Sequence, residues 1–230
     1  MQYDTIFFDL DHTLWDFETN SKEALSEIVS THQLLDKGIP SLENFLKEYF
    51  AINEKLWEDY RKNIISKETL RDDRFHQALK KFNIDDIELA TAISNDYVKS
   101  APYKTNLFSH AVEVLEYLKE KYSLHIITNG FEETQHLKLK NSKIDHYFDH
   151  VITCERSGFK KPDERMFHFS LRHTNAKSDR SIMIGDSLEA DVLGAKNVGM
   201  HQVYFNPGEK VHEEELTHEV KGLKELMGIL

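Results

Sequence analysis

Five short apolar runs, most of them set between helix-length amphipathic segments, constrain the fold of this chain more than any other feature. Ile6-Phe7-Phe8, Leu124-His125-Ile126-Ile127, Val151-Ile152-Thr153, Ile182-Met183-Ile184 and His201-Gln202-Val203-Tyr204 have the length and apolar content of strands covered on both faces. Such strands belong to parallel sheets. From Phe108 on, helical patterns alternate with these runs: Ala111 to Lys121, Glu132 to Leu139, a helix carrying Met166 to Leu171, Ala190 to Asn197, and an amphipathic helix from Leu223. That alternation predicts parallel strands joined by crossover helices.

Between the first run and the second the pattern changes. From Asp16 to about Ser100 there is no strand signal, and apolar residues recur every three or four positions. Leu25, Ile28 and Val29 mark one helix, and Gly38-Ile39-Pro40 ends it. Leu42, Phe45, Tyr49, Ile52 and Leu56 form the stripe of a second. Phe75, Leu79 and Phe82 mark a third with Ser66 as a cap near its start, and Ile87, Ala90, Ile93 and Tyr97 a fourth. The expected fold is α/β, a Rossmann-like doubly wound parallel sheet with an inserted all-helical domain. The sheet domain is discontinuous, residues 1–16 and 103–230, and the helical domain is residues 17–102.

The run ends carry the chemistry. An acid directly after a buried parallel strand lies at the carboxyl edge of the sheet, where open α/β folds bind ligands. Asp9 is such an acid. Alternate residues of an extended chain face one way, which lets Asp9 and Asp11 converge on one cation and turns His12 aside. A lone Asp-x-Asp is equally the start of a surface turn, so the other strand ends bear on the choice. Thr128 ends the second run, Lys161 follows the third, and Asp186 with Asp191 follows the fourth. Each alone has an ordinary alternative: a solvated lysine, a Gly-Asp-Ser turn, a first-turn helix acid. Their common placement favours one site.

That set suits attack by a carboxylate on a phosphoryl group. Two anions repel, so the site must first neutralise charge. Magnesium requires hard oxygen ligands, and Asp9, Asp186 and the backbone carbonyl of Asp11 supply them. Lys161 adds a fixed positive charge, held by the restricted backbone before Pro162. Thr128 offers a hydroxyl, and the amides of Asn129 and Gly130, where a helix begins, offer donors to phosphate oxygens.

Asp9-x-Asp11-x-Thr13, then Thr128, then Lys161-Pro162, then Gly185-Asp186-Ser187-x-x-x-Asp191 resemble the four motifs of the haloacid dehalogenase superfamily, with a helical cap inserted after the first. The resemblance implies that Asp9 is the nucleophile and forms an aspartyl-phosphate. It implies that Asp11 protonates the leaving oxygen and then activates water. Thr128, Asn129 and Lys161 would bind phosphate, with Lys161 also steadying the nucleophile; Asp186 would bind Mg2+, and Asp191 would orient that ligand from behind. Leu56-Trp57-Glu58-Asp59-Tyr60, Ile127-Thr128-Asn129-Gly130-Phe131 and Phe148-Asp149 resemble the pyrimidine 5'-nucleotidase branch. This implies a nucleoside monophosphate as the small phosphorylated partner. Trp15, Phe17, Trp57, Tyr60 and Arg74 are then candidate base or sugar contacts, or else helix-packing residues. Cap closure about hinges near Asp16 and Pro102 would exclude water from the intermediate.

Three other readings share these residues. A phosphatase of phosphoglycolate or a sugar phosphate would use the same set. A 2-haloacid dehalogenase would need neither Asp11 nor Asp186. A phospho-accepting receiver would place its Lys-Pro on the last strand. The net charge of −11 speaks against a nucleic-acid polymer or an anionic membrane as partner. The sequence lacks a long apolar segment and a secretory signal pattern, which leads to the expectation of a cytoplasmic protein. Cys154 is the only cysteine, which excludes an intramolecular disulfide.

Overall fold

The structure, a computed structural model, describes residues 3–230. The chain divides into two compact units, one formed by the chain up to Phe17 with Thr105–Leu230, the other by Glu18–Lys104.

The unit that contains the first strand is built on six parallel strands: β1 Thr5–Phe8, β2 Ser123–Thr128, β3 His150–Thr153, β4 Ser181–Gly185, β5 His201–Phe205 and β6 His218–Val220. Their order across the sheet is β3-β2-β1-β4-β5-β6. Phe8 pairs with Ile126 on one side and Ile184 on the other, so β1 is central. The chain steps outward from β1 through β2 to β3, then returns to the other side of β1 for β4. The β1–β4 boundary is therefore the topological switch point, where a crevice opens at the carboxyl ends of doubly wound sheets.

Alternation along the strands builds two cores. Ile6, Phe8, Ile126, Ile182, Ile184 and Val203 bury one face of the sheet. Phe7, Ile127, Ile152 and Met183 bury the other, with Met166 and Phe167. Helices α5 Ala111–Lys119, α6 Glu132–Asn141, α7 Cys154–Ser157, α8 Glu164–His173 and α9 Gly194–Asn197 connect the strands, and α10 Leu226–Ile229 follows the last.

Two local features differ from the sequence expectation. β6 went unforeseen because it is three residues long and polar, a pattern that gives no period to read. The helix expected near 190–197 begins as a π-helical turn, Leu188–Leu193, with Val192 N–H bonded to Ser187 five residues back. Such turns widen a helix by one residue and occur often at functional sites.

The other unit is helical, although α1 begins one residue before it: α1 Phe17–Thr31, α2 Leu42–Arg61, α3 Lys67–Lys80 and α4 Ile87–Ser100. Ser41, Ser66 and Asp86 cap the last three, each accepting from a backbone N–H three residues on. Phe45, Tyr49, Phe75, Leu79, Ile93 and Tyr97 are buried in it, with Tyr49 and Phe75 ring centroids 5.1 Å apart. Among the described residues, no helix is long and apolar enough to cross a membrane.

Candidate active site

Asp9 leaves the end of β1 with its backbone fixed, because its N–H bonds to the Ile184 carbonyl of β4 at 2.9 Å. Its side chain is buried at the switch point. Lys161 Nζ donates to Asp9 Oδ1 at 2.7 Å, to Asp191 Oδ1 at 2.5 Å and to the Ile127 carbonyl at 2.8 Å. An ammonium has three protons, so all of its donors are in use. Burial pulls the Lys161 pKa down, but Asp191 and Asp9 outweigh burial and hold it above the ordinary lysine range. The lysine is therefore a fixed cation that orients the nucleophile candidate; contact with a phosphate oxygen requires it to exchange one of these partners.

Asp186 follows β4 and accepts from the Thr13 hydroxyl at 3.1 Å. Asp191 has both oxygens engaged, one by Lys161 and one by the Ser187 N–H at 3.0 Å, whereas these contacts take only Oδ1 of Asp9. Asp191 thus braces the turn that presents Asp186. Gly185 is required there by space, since a Cβ would collide with the Asp191 carboxylate.

Ligand atoms of Asp9, Asp186 and Asp191 lie within 4.8 Å of one another. Three carboxylates against one lysine leave an excess of buried negative charge. Burial pushes the Asp9 carboxyl well up, with Asp191 and Asp186 adding to it and Lys161 opposing. Burial, then Asp191, push Asp186 up to about 7. Hard oxygen donors with unbalanced charge fit a divalent cation.

Asp11 is held elsewhere. The extended backbone ends at Phe8, and the chain coils through a turn in which Leu14 and Trp15 N–H both bond to the Leu10 carbonyl. His12 has φ 62° and its ring packs 4.6 Å from that of Phe17. Strand alternation is thus the wrong guide beyond Asp9: the Asp11 carboxylate is not among the three that gather. Its Oδ1 accepts from Lys138 Nζ at 2.5 Å and its Oδ2 from Gln135 Nε2 at 2.8 Å. Burial raises the Asp11 pKa, but Lys138 and these hydrogen bonds outweigh it and hold the carboxyl below its usual range.

Thr128 Oγ1 accepts from the Gly130 N–H at 3.0 Å and from Gln135 Nε2 at 2.7 Å. With both lone pairs taken, its own proton is directed to a third partner, so the hydroxyl is a donor. Asn129 has a contact beyond the phosphate binding expected of its backbone amide. Its side chain accepts from the Lys161 N–H at 2.8 Å and donates to the Lys161 carbonyl at 2.9 Å, which fixes the lysine backbone. The Gly130 amide, expected to face phosphate, is taken by Thr128. Trp15 is buried beneath Lys138; Trp57 and Tyr60 pack edge to face at 5.6 Å; the Arg74 guanidinium is buried 4.7 Å from the Tyr97 ring.

Sequence reasoning missed Gln135 and Lys138. The available signal was α6 itself, which has only two leucines, so polar residues must form part of its buried face.

A family model described as haloacid dehalogenase-like hydrolase matches residues 3–199. The chain belongs to this family. Its relatives include pyrimidine 5'-nucleotidase YjjG of Escherichia coli, 30% identical over 233 residues, spanning 100% of this chain and 99% of that protein. Glyceraldehyde 3-phosphate phosphatase of Methanothermobacter thermautotrophicus is 32% identical over 205 residues, 87% of this chain and 84% of that protein. The crystal structure of YfnB from Bacillus subtilis, bound to magnesium, superposes with a TM-score of 0.90 at 26% identity, covering 100% of this chain and 99% of that one.

Proposed function

We propose that this protein is a magnesium-dependent phosphomonoesterase that works through an aspartyl-phosphate on Asp9, with pyrimidine nucleoside monophosphates as its main substrates. The observation that carries this reading is the buried Asp9 carboxylate, gripped by Lys161 and facing Asp186 and Asp191 at the switch point. Its likeness to a pyrimidine 5'-nucleotidase across the full length supports the substrate class.

Asp9, Asp186 and the Asp11 carbonyl would hold the cation, which when bound neutralises the cluster and the phosphoryl oxygens. Lys161 keeps Asp9 aimed, and Thr128 donates to a phosphoryl oxygen. In the first step an Asp9 oxygen bonds to phosphorus while the phosphorus–oxygen bond to the leaving group breaks. The electron pair passes to the leaving oxygen, which takes a proton from Asp11; because Lys138 and Gln135 favour the ionised carboxyl in the free protein, that proton reaches Asp11 with the bound monoester. In the second, Asp11 takes a proton from water, the water oxygen bonds to phosphorus, and the Asp9–phosphorus bond breaks with its pair returning to the carboxylate.

A second reading, a triose- or sugar-phosphate phosphatase, is favoured by the 32% identity to a glyceraldehyde 3-phosphate phosphatase. A turnover screen over nucleoside monophosphates, sugar phosphates and phosphoglycolate, with and without magnesium, separates the two. Asp9→Asn is expected to fold normally and to lose turnover on every substrate. Retained turnover in that variant contradicts the mechanism, and a preference for triose phosphates over nucleotides overturns the substrate assignment.

A further inference from the structure

We propose that Gln135 and Lys138 are positioning residues for Asp11: they grip its two carboxylate oxygens separately and fix the line along which it passes a proton to the leaving group. This rests on the reading of Asp11 as the proton donor.

The two residues stand three apart on α6 and share one face. Lys138 Nζ holds Oδ1 and Gln135 Nε2 holds Oδ2. A carboxylate held at one oxygen still turns; held at both, by donors on one helix, it keeps a single plane. Neither residue is explained by packing. Lys138 is 5% exposed, and lysines are rarely buried without a partner that requires them. Its ammonium also lies 4.1 Å from the Trp15 ring centroid and 5.8 Å from that of Phe17, so aromatic faces hold it from the side.

Gln135 is fully buried and uses one nitrogen for two acceptors, Asp11 Oδ2 and Thr128 Oγ1. Its Oε1 is buried without a hydrogen-bond partner among the described residues. An orphaned buried acceptor destabilises a fold, and a leucine or methionine at this position would avoid that. Gly130 keeps the amide in place, because a Cβ there would collide with the Gln135 side chain. A single amide therefore spaces the phosphate donor Thr128 from the proton donor Asp11.

The test compares leaving groups. A nitrophenolate departs without a proton, whereas an alcohol or nucleoside needs one from Asp11. Gln135→Met and Lys138→Met are made in the full chain. Single-turnover release of the leaving group reads the first half-reaction alone, with p-nitrophenyl phosphate and with the best alkyl phosphomonoester of the substrate screen. Release from the alkyl ester is expected to fall about 100-fold in either variant. Nitrophenolate release is expected to fall less than about threefold, and Lys138→Arg to recover part of the loss. Gln135→Met is expected to fold and to melt close to the parent protein, because removal of the orphaned acceptor offsets the two hydrogen bonds lost with the amide.

Equal losses on both substrates, or none on either, overturn the inference. So does a Gln135→Met protein that fails to fold, since the residue would then be structural. If Lys138→Met does not fold, the two rates of Gln135→Met decide alone. An Asp9→Asn protein that still releases the leaving group removes the underlying mechanism. An inert Asp9→Asn protein beside a Gln135→Met protein indifferent to the leaving group removes only the positioning role.

Discussion

Asp9 and Asp11 stand two residues apart and occupy opposite environments. Around Asp9 two further carboxylates crowd one lysine, and burial with mutual repulsion raises the acids. Around Asp11 a lysine and an amide meet one carboxylate, and its pKa falls despite burial. The neighbours thus give one residue type two electrostatic settings, which in the proposed mechanism suit a nucleophile beside a cation and a separate proton-handling group. The difference arises from local backbone: Asp9 continues the direction of β1, whereas the Leu10–Trp15 turn carries Asp11 across to α6.

Removing the lysine of the Asp9 pocket breaks the comparison most severely. Lys161→Met leaves three buried acids without their cation, and kcat is expected to fall by about 10³-fold or more, read in steady-state assays. The same change is expected to lower stability by about 3 kcal/mol in urea unfolding. A protein with unaltered turnover would show that the pocket does not depend on this charge.

Metal loading sharpens the contrast next. Magnesium at one hundred times its Kd is expected to stabilise the parent protein by about 2.7 kcal/mol, a rise in Tm of roughly 5–10 °C. Asp186→Asn is expected to lose most of that rise, while Lys138→Met keeps it, because Lys138 serves the other pocket. An equal loss in both variants would deny that the pockets are separate, and an equal rise in all three proteins would deny that Asp186 holds the metal.

In the metal-free protein the two pockets respond to pH with opposite sign. The folded protein keeps a proton on Asp186 up to about pH 7 that the unfolded chain releases near pH 4, so this group lowers stability as pH rises between those values. Asp186→Asn is expected to remove part of that decline in urea titrations, the rest belonging to Asp9, whose carboxyl is raised as well. Asp11, with its lowered pKa, contributes stability that is present above about pH 4 and lost as pH falls further.

His125 gives the smallest effect, outside both pockets, and must be subtracted first. Burial, then His150, pull it down to about 4; Asp149 opposes, while Lys119 and His173 add to the fall. The unfolded chain takes up a proton below about pH 6.5 that the folded protein refuses, so stability drops as pH falls from about 6.5 to about 4. His125→Gln is expected to flatten that slope by about 1–2 kcal/mol.

What the sequence made legible follows from periodicity. Runs such as Ile182-Met183-Ile184 alternate between the two cores, and the stripe from Phe45 to Leu56 folds as one helix. Asp9, Lys161, Asp186 and Asp191 meet because strand ends converge at a switch point, which strand order implies. The grip on Asp11 was hidden because it depends on a turn whose path no period encodes and on polar residues of a helix that carry no motif. The reach of the Asn129 side chain to the Lys161 backbone was hidden for a related reason, since it is a matter of tertiary contact.

The mass of the Asp9-containing peptide from enzyme quenched in acid during turnover tests the aspartyl-phosphate mechanism most directly. One added phosphoryl group is expected, located on Asp9 and absent from Asp11. Steady turnover with no phosphoryl group on that peptide, or with the group on Asp11, would contradict it.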